Sequence, residues 1–167
     1  TNSEASLLMS ELLRSGVRTL TFVRSRRLAE LIYVYVRDQL KGTHPQIAER
    51  VAPYRATYMP EDRRLIERDL FEGRLLGMVS TNAMELGIDI GDLDATILTG
   101  YPGSLASAWQ QAGRSGRRGE RSLSILVAQN NPLDQYLMRH PDEFFGKPHE
   151  SARISITNPY ILKPHLL

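Results

Sequence analysis

The chain has no cysteine, only three lysines and a single tryptophan among its 167 residues. No apolar run approaches the roughly eighteen residues that span a bilayer. Without cysteine there is no disulfide, no thiolate metal site and no thiol nucleophile, which fits a reducing compartment without requiring one. The N-terminus lacks the basic, apolar, small-residue succession of a secretory signal, so the expectation is a soluble protein. Histidines 44, 140, 149 and 165 have no metal-ligand spacing and no cysteine to join them, so no metal is expected on this chain. The scarcity of lysine also bears on phosphate chemistry. A P-loop ends in Gly-Lys followed by Ser or Thr, and the one Gly-Lys here, Gly146-Lys147, runs into Pro148. No glycine-rich turn follows the first strand either, because Arg24-Ser25-Arg26-Arg27 succeed Val23. That argues against a self-sufficient dinucleotide or flavin site.

What is present is arginine, at 18 of the 21 basic residues. Its planar fork suits phosphate better than a lysine point charge does. The same skew arises from genome composition alone, so placement must carry the argument. With 41% apolar residues the chain can bury one full core. A helix is expected over residues 4 to 15, with Ser3 as N-cap and Gly16 as stop. Strands are expected at 18–23, 52–54, 75–80, 94–99 and 122–128, where β-branched and apolar residues cluster. Ser25 opens a helix whose Leu28, Leu31, Ile32 and Tyr35 share a face. Pro60 starts another that runs to Phe71 and stops at Gly73. Alternation of this kind predicts an α/β fold, a parallel sheet with helices on both faces, whose ligands bind at the carboxyl ends of strands. Beyond Asn130 a short helix near 133–138 is followed by Pro141, Pro148, Pro159 and Pro164, read as a connecting arm. Asp142-Glu143 follows Arg139-His140-Pro141 rather than an apolar strand, and is read as a helix-capping pair. The apolar end at Leu167 suggests a fragment of something larger.

Two stretches carry the chemistry. Gln110 to Gly119 (QQAGRSGRRG) sets three arginines among three glycines directly before a strand, so that backbone and guanidinium can approach an anion. A solvated basic loop is the competing reading. Upstream, Ser80 to Ile90 (STNAMELGIDI) offers Thr81 and Asn82 to phosphate oxygens and Asp89 to a ribose hydroxyl, although Gly-Ile-Asp is equally turn chemistry. Trp109 and Tyr101 flank the arginine loop and could stack on bases; core packing is the other reading of Trp109.

Ser80 to Ile90 resembles motif V of superfamily 2 helicases, and Gln110 to Gly119 resembles motif VI, whose pattern is Gln-x-x-Gly-Arg-x-Gly-Arg. Thr21 to Arg26 (TFVRSR) is similar to motif IV, and Tyr54 to Gly73 to the linker strand and arginine-rich helix. The likeness covers residues 17 to 130. It implies a RecA-like second motor domain over residues 1–130, with 131–167 leading towards further domains. By the same resemblance, Arg117 is the arginine finger, Arg114 its phosphate-contacting neighbour and Gln110 a residue of the hydrolytic cleft. Gly87 and Asp89 approach the nucleotide, and Arg24, Ser25, Thr81 and Asn82 contact the tracked strand. ATP and Mg²⁺ are then held mainly by a first RecA-like domain of the same protein, and DNA is the partner. The segments NPLDQYLMRHPDEFFGKPHE, NPYIL and YPGS look like the mitomycin-repair type of DNA helicase, which moves 3′ to 5′ and usually carries a four-cysteine zinc site in later domains. Thr57 and Met84 depart from that branch, where glycine and leucine are usual. The resemblance places the protein in the cytoplasm, beside the nucleoid in a bacterium. An RNA motor of the same superfamily, or a DNA-binding module without catalysis, stays open because these motifs contact backbone more than bases.

Overall fold

The computed structural model describes residues 2–85, 93–116 and 121–147. Five parallel strands form one sheet in the order β2-β3-β1-β4-β5. They are β1 (Thr19–Phe22), β2 (Val51–Tyr54), β3 (Gly77–Ser80), β4 (Ala95–Thr99) and β5 (Leu123–Val127). Thr19 pairs with Gly77 on one side and Ala95 on the other, which puts β1 at the centre. All residues of β1, β3 and β4 are buried, as expected for strands covered on both faces. Strand alternation divides the core in two. Leu20, Phe22, Met78 and Leu98 face α4 (Pro60–Phe71), α5 (Leu105–Ala112) and α6 (Pro132–Arg139). Val79 and Ile97 face α1 (Asn2–Arg14) and α2 (Arg26–Lys41). Buried threonines are satisfied locally: the Thr99 hydroxyl donates to Phe22 O at 2.7 Å.

Small residues set the spacing on the α1 face. Serines let α1 approach α2, where the Ser10 hydroxyl donates to Gln39 Oε1 at 2.7 Å and Gln39 Nε2 donates to the Ser6 hydroxyl at 3.3 Å. Gly77 lets α1 approach the sheet. A Cβ there would lie 2.8 Å from Met9 Cε and 3.0 Å from Leu13 Cδ1, both on fully buried side chains. Gly77→Ala is therefore expected to destabilise the chain by about 1–2 kcal/mol through overpacking, read as a lower urea midpoint at unchanged slope. On the opposite face Tyr54 ties β2 to α4, its hydroxyl donating to Glu67 Oε1 at 2.5 Å. Burial and that carboxylate push the Tyr54 pKa up to about 12, so the phenol remains a donor at neutral pH.

Several expectations are corrected. Ser3 lies inside α1, which starts at Asn2, so it is not the cap. In α2 the inward stripe is Ala29, Ile32, Val36 and Leu40, while Tyr35 is exposed. The His-Pro connector holds a one-turn helix, α3 (Pro45–Ala48). Pro141 starts a helix, α7 (Pro141–Phe145), where its missing N–H costs nothing, and Asp142 and Glu143 occupy its first turn. α6 is packed into the domain: Leu137 joins the core and Asp134 is fully buried. Among the described residues no helix is long and apolar enough to cross a membrane.

Candidate functional site

β1 sends its following helix to one face of the sheet and β4 sends its own to the other, so the loops diverge where the two strands lie side by side. Such a divergence leaves a crevice at the carboxyl ends, the usual ligand position in open parallel sheets. Here it is a cleft of about 320 Å³, lined by Arg24 after β1, Asn82 after β3, Thr99 and Gly100 at the end of β4, and Ser107 and Gln111 from α5. Gly100 adopts a φ of +88°, and a Cβ would meet the Gln129 side chain at 3.0 Å, so glycine is what permits this turn over the cleft.

The β1 side is built by a cap and an ion pair. Ser25 is extended (φ −146°) and its hydroxyl oxygen accepts from Leu28 N–H at 3.3 Å, which caps α2. The hydroxyl keeps a proton of its own to donate. Arg24 Nη2 donates to Tyr101 O at 2.5 Å and lies 3.3 Å from Asp134 Oδ1. The Arg24 side chain is 45% exposed, so its guanidinium is anchored at one edge and open to solvent at another.

After β3 the chain makes one 3₁₀ turn over Asn82–Met84, with Thr81 in extended geometry before it. Asn82 is exposed on the cleft, Thr81 is half-buried, and the Met84 side chain anchors the turn in the core. Glu85 then meets α5 through three residues. Its Oε2 accepts from the Ser107 hydroxyl at 2.8 Å and from Gln111 Nε2 at 3.0 Å. Its backbone oxygen accepts from Arg114 Nε at 3.0 Å and from Arg114 Nη2.

Arg114 is thus a buried residue, 8% exposed, that fastens the two motif segments together. Gln110 is exposed on the outer side of α5, whereas its neighbour Gln111 is buried. The spacing could have indicated this, because Leu105, Ala108 and Gln111 recur every three residues along the inward face. Trp109 is not a core residue: it is 38% exposed, and its ring centroid lies 5.7 Å from that of Phe144 and 6.0 Å from that of Phe145 of α7. Tyr101 is buried, edge-on to Phe144. Gly87, Asp89 and Arg117 lie outside the described residues. Sequence reasoning missed Glu85, Ser107, Gln111 and Asp134, since only the fold brings their partners near.

Residues 4–119 match the helicase conserved C-terminal domain family. An ATP-dependent helicase of Bacillus subtilis, YprA, is 50% identical over 98% of this chain and 22% of its own length. The ATP-dependent helicase hrq1 of Schizosaccharomyces pombe is 40% identical over 98% of this chain and 16% of its own. Among solved structures, the helicase MrfA bound to DNA and AMPPNP superposes with a TM-score of 0.92 at 49% identity, covering 99% of this chain and 23% of that one. The chain therefore spans about a fifth of the length of the relatives it matches. With the five-stranded parallel sheet and the cleft at its carboxyl ends, these matches establish that the chain belongs to the helicase C-terminal domain family, as its RecA-like second domain.

Proposed function

We propose that this domain is half of an ATP-driven DNA motor in DNA repair, moving 3′ to 5′ and closing over a nucleotide held mainly by a first RecA-like domain of the same protein. One observation carries the reading. A single cleft collects Arg24 and Asn82 beside α5, whose last turn leads directly into the arginine loop. The strand-facing groups therefore lie beside the helix that leads to the arginine loop.

Arg24, Ser25, Thr81 and Asn82 hold the strand by its backbone. Those are an arginine fork, a hydroxyl on a helix N-terminus, a second hydroxyl and an amide, all suited to phosphate oxygens. Gln110, Arg114 and Arg117 serve the nucleotide side with Gly87 and Asp89. Arg114 positions the loop through the Glu85 carbonyl, and Arg117 reaches the γ-phosphate. Mg²⁺ would sit with ATP on the partner domain, bridging the nucleotide's phosphates. ATP bound there supplies the phosphoryl group whose transfer to water drives the cycle. Residues 1–130 form the motor domain and 131–167 the arm towards later domains, with α6 pinned back by Asp134. The working compartment is the one that holds the DNA, the cytoplasm and nucleoid in a bacterium.

The test is ATP turnover by the full-length protein with and without single-stranded DNA. Stimulation by DNA is expected. Stimulation by RNA alone would replace the DNA motor by an RNA motor, and strand binding without any turnover would leave a binding module. The paired change Thr81→Ala with Asn82→Ala is expected to weaken oligonucleotide binding by about tenfold or more, since each lost hydrogen bond to a charged group costs about 1.5 kcal/mol at the least. Unchanged affinity in a filter-binding or anisotropy titration would remove those two residues from the strand path.

A further inference from the structure

Asn82 and Arg114 lie on different segments, and Glu85 joins them. Asn82 is exposed on the cleft, and Glu85 follows it at the other end of a single 3₁₀ turn. The Glu85 carboxylate takes Ser107 and Gln111 of α5, and its backbone oxygen takes Arg114, three residues before Arg117. Gln111 and Arg114 are 5% and 8% exposed, so both are fixed by packing, while Glu85 is half-buried. A neutral residue would satisfy packing alone. A carboxylate oxygen that gathers two donors from the next element gives the joint a direction and a defined length. One 3₁₀ turn is short and readily re-formed, so a phosphate that grips Asn82 shifts Glu85 with it.

We infer that Glu85 is a positioning residue which transmits occupancy of the strand site to the arginine loop through Ser107 and Gln111. Binding of DNA at Asn82 sets the 3₁₀ turn; the turn sets Glu85; Glu85 draws the C-terminal half of α5 and Arg114 into register for nucleotide contact. The inference rests on the motor reading above, and it assigns DNA stimulation, rather than affinity or chemistry, to this joint.

The experiment is steady-state ATP turnover by the full-length protein against a titration of single-stranded thymidine oligonucleotide, with melting temperatures measured alongside. Glu85→Ala is expected to lower the DNA-stimulated kcat about tenfold, within the span that coupling networks carry, while unstimulated turnover, KM for ATP and oligonucleotide affinity each stay within about twofold. Glu85→Gln keeps an acceptor oxygen in place and is expected to retain at least about a third of the stimulated rate. Adding Gln111→Ala to Glu85→Ala should cost nothing more, because both remove the same joint. Ser107→Ala, the milder change, should lose part of the stimulation at unchanged melting temperature.

A stimulated kcat that survives in Glu85→Ala overturns the inference, as does a double variant whose losses multiply. A parallel fall of stimulated and unstimulated rates with a lower melting temperature also overturns it, since that is the signature of a merely structural residue. If the unaltered protein shows no stimulation by the oligonucleotide, the motor reading itself fails, and that failure is visible before any variant is made.

Discussion

Replacing Arg117 by alanine in the full-length protein is expected to abolish DNA-stimulated ATP turnover, by about a thousandfold or more, while strand affinity and melting temperature hold. Negative charge on the transferred phosphoryl group is spread over oxygens that a guanidinium fork can meet in two places at once, and losing such a group costs on the order of 10³ to 10⁵ in rate. Arg114 is a poorer place to look for so clean a result. It is 8% exposed and fastened to the Glu85 carbonyl, so Arg114→Ala should lower the melting temperature together with turnover. Gly116 takes a φ of +85°, and its N–H donates to Leu93 O at 3.1 Å. That anchor belongs to Gly116, so a substitution at Arg117 leaves it in place. Arg117→Lys should recover little, because a point charge cannot replace a fork. Turnover is read by phosphate release, affinity by anisotropy, and folding by thermal unfolding. If the alanine variant turns over normally, the arginine loop is a strand-binding surface and the finger lies elsewhere.

The sheet was legible because its strands are short β-branched or apolar runs set off by turn residues, and because Gly16 and Gly73, at φ +76° and +73°, punctuate the chain where the sequence indicates stops. α4 was legible to the residue from Pro60 and Phe71. The misses have physical causes. α3 is a single turn and leaves no periodic trace. Pro141 was read as a breaker, although proline at the first helical position breaks nothing. The inward face of α2 falls on Ala29 and Val36 rather than Tyr35, because packing against α1 favours small and branched residues over a large ring with a polar tip. At the site, motif spacing points to Gln110, which is exposed, while α5 turns Gln111 inward. Arg24 and Asp134 are 110 positions apart, and nothing local in either stretch announces the pair.

Asp134→Ala is expected to destabilise the chain by about 3 kcal/mol, which for a domain of this size lowers the melting temperature by roughly 10 °C. Asp134 is fully buried and serves three separate elements. Its Oδ2 accepts from Gln129 N–H at 2.7 Å, after β5, and from Tyr101 N–H at 3.2 Å, after β4; its Oδ1 faces Arg24, after β1, at 3.3 Å. Its own N–H donates to Asn131 Oδ1 at 2.9 Å, which caps α6 and fixes the rotation of the helix. Alanine would orphan two backbone donors under the helix, and a buried donor without a partner costs more than an average hydrogen bond contributes. Asp134→Asn separates two contributions. Its amide oxygen can still accept from both N–H groups, while its NH₂ would face the Arg24 guanidinium donor to donor, so an intermediate loss of about 1–2 kcal/mol is expected. Arg24→Ala should cost less than Asp134→Ala in stability, because both backbone donors keep their carboxylate. It should also weaken oligonucleotide binding, since Arg24 lines the cleft and its side chain is 45% exposed. A melting temperature in Asp134→Ala within about 3 °C of the unaltered chain would mean that Leu137 and its apolar neighbours hold α6 unaided. The order Asp134→Ala, Asp134→Asn, Arg24→Ala in lost stability, with only the last reducing strand affinity directly, would identify Asp134 as the pin that keeps α6 against the carboxyl ends of the sheet.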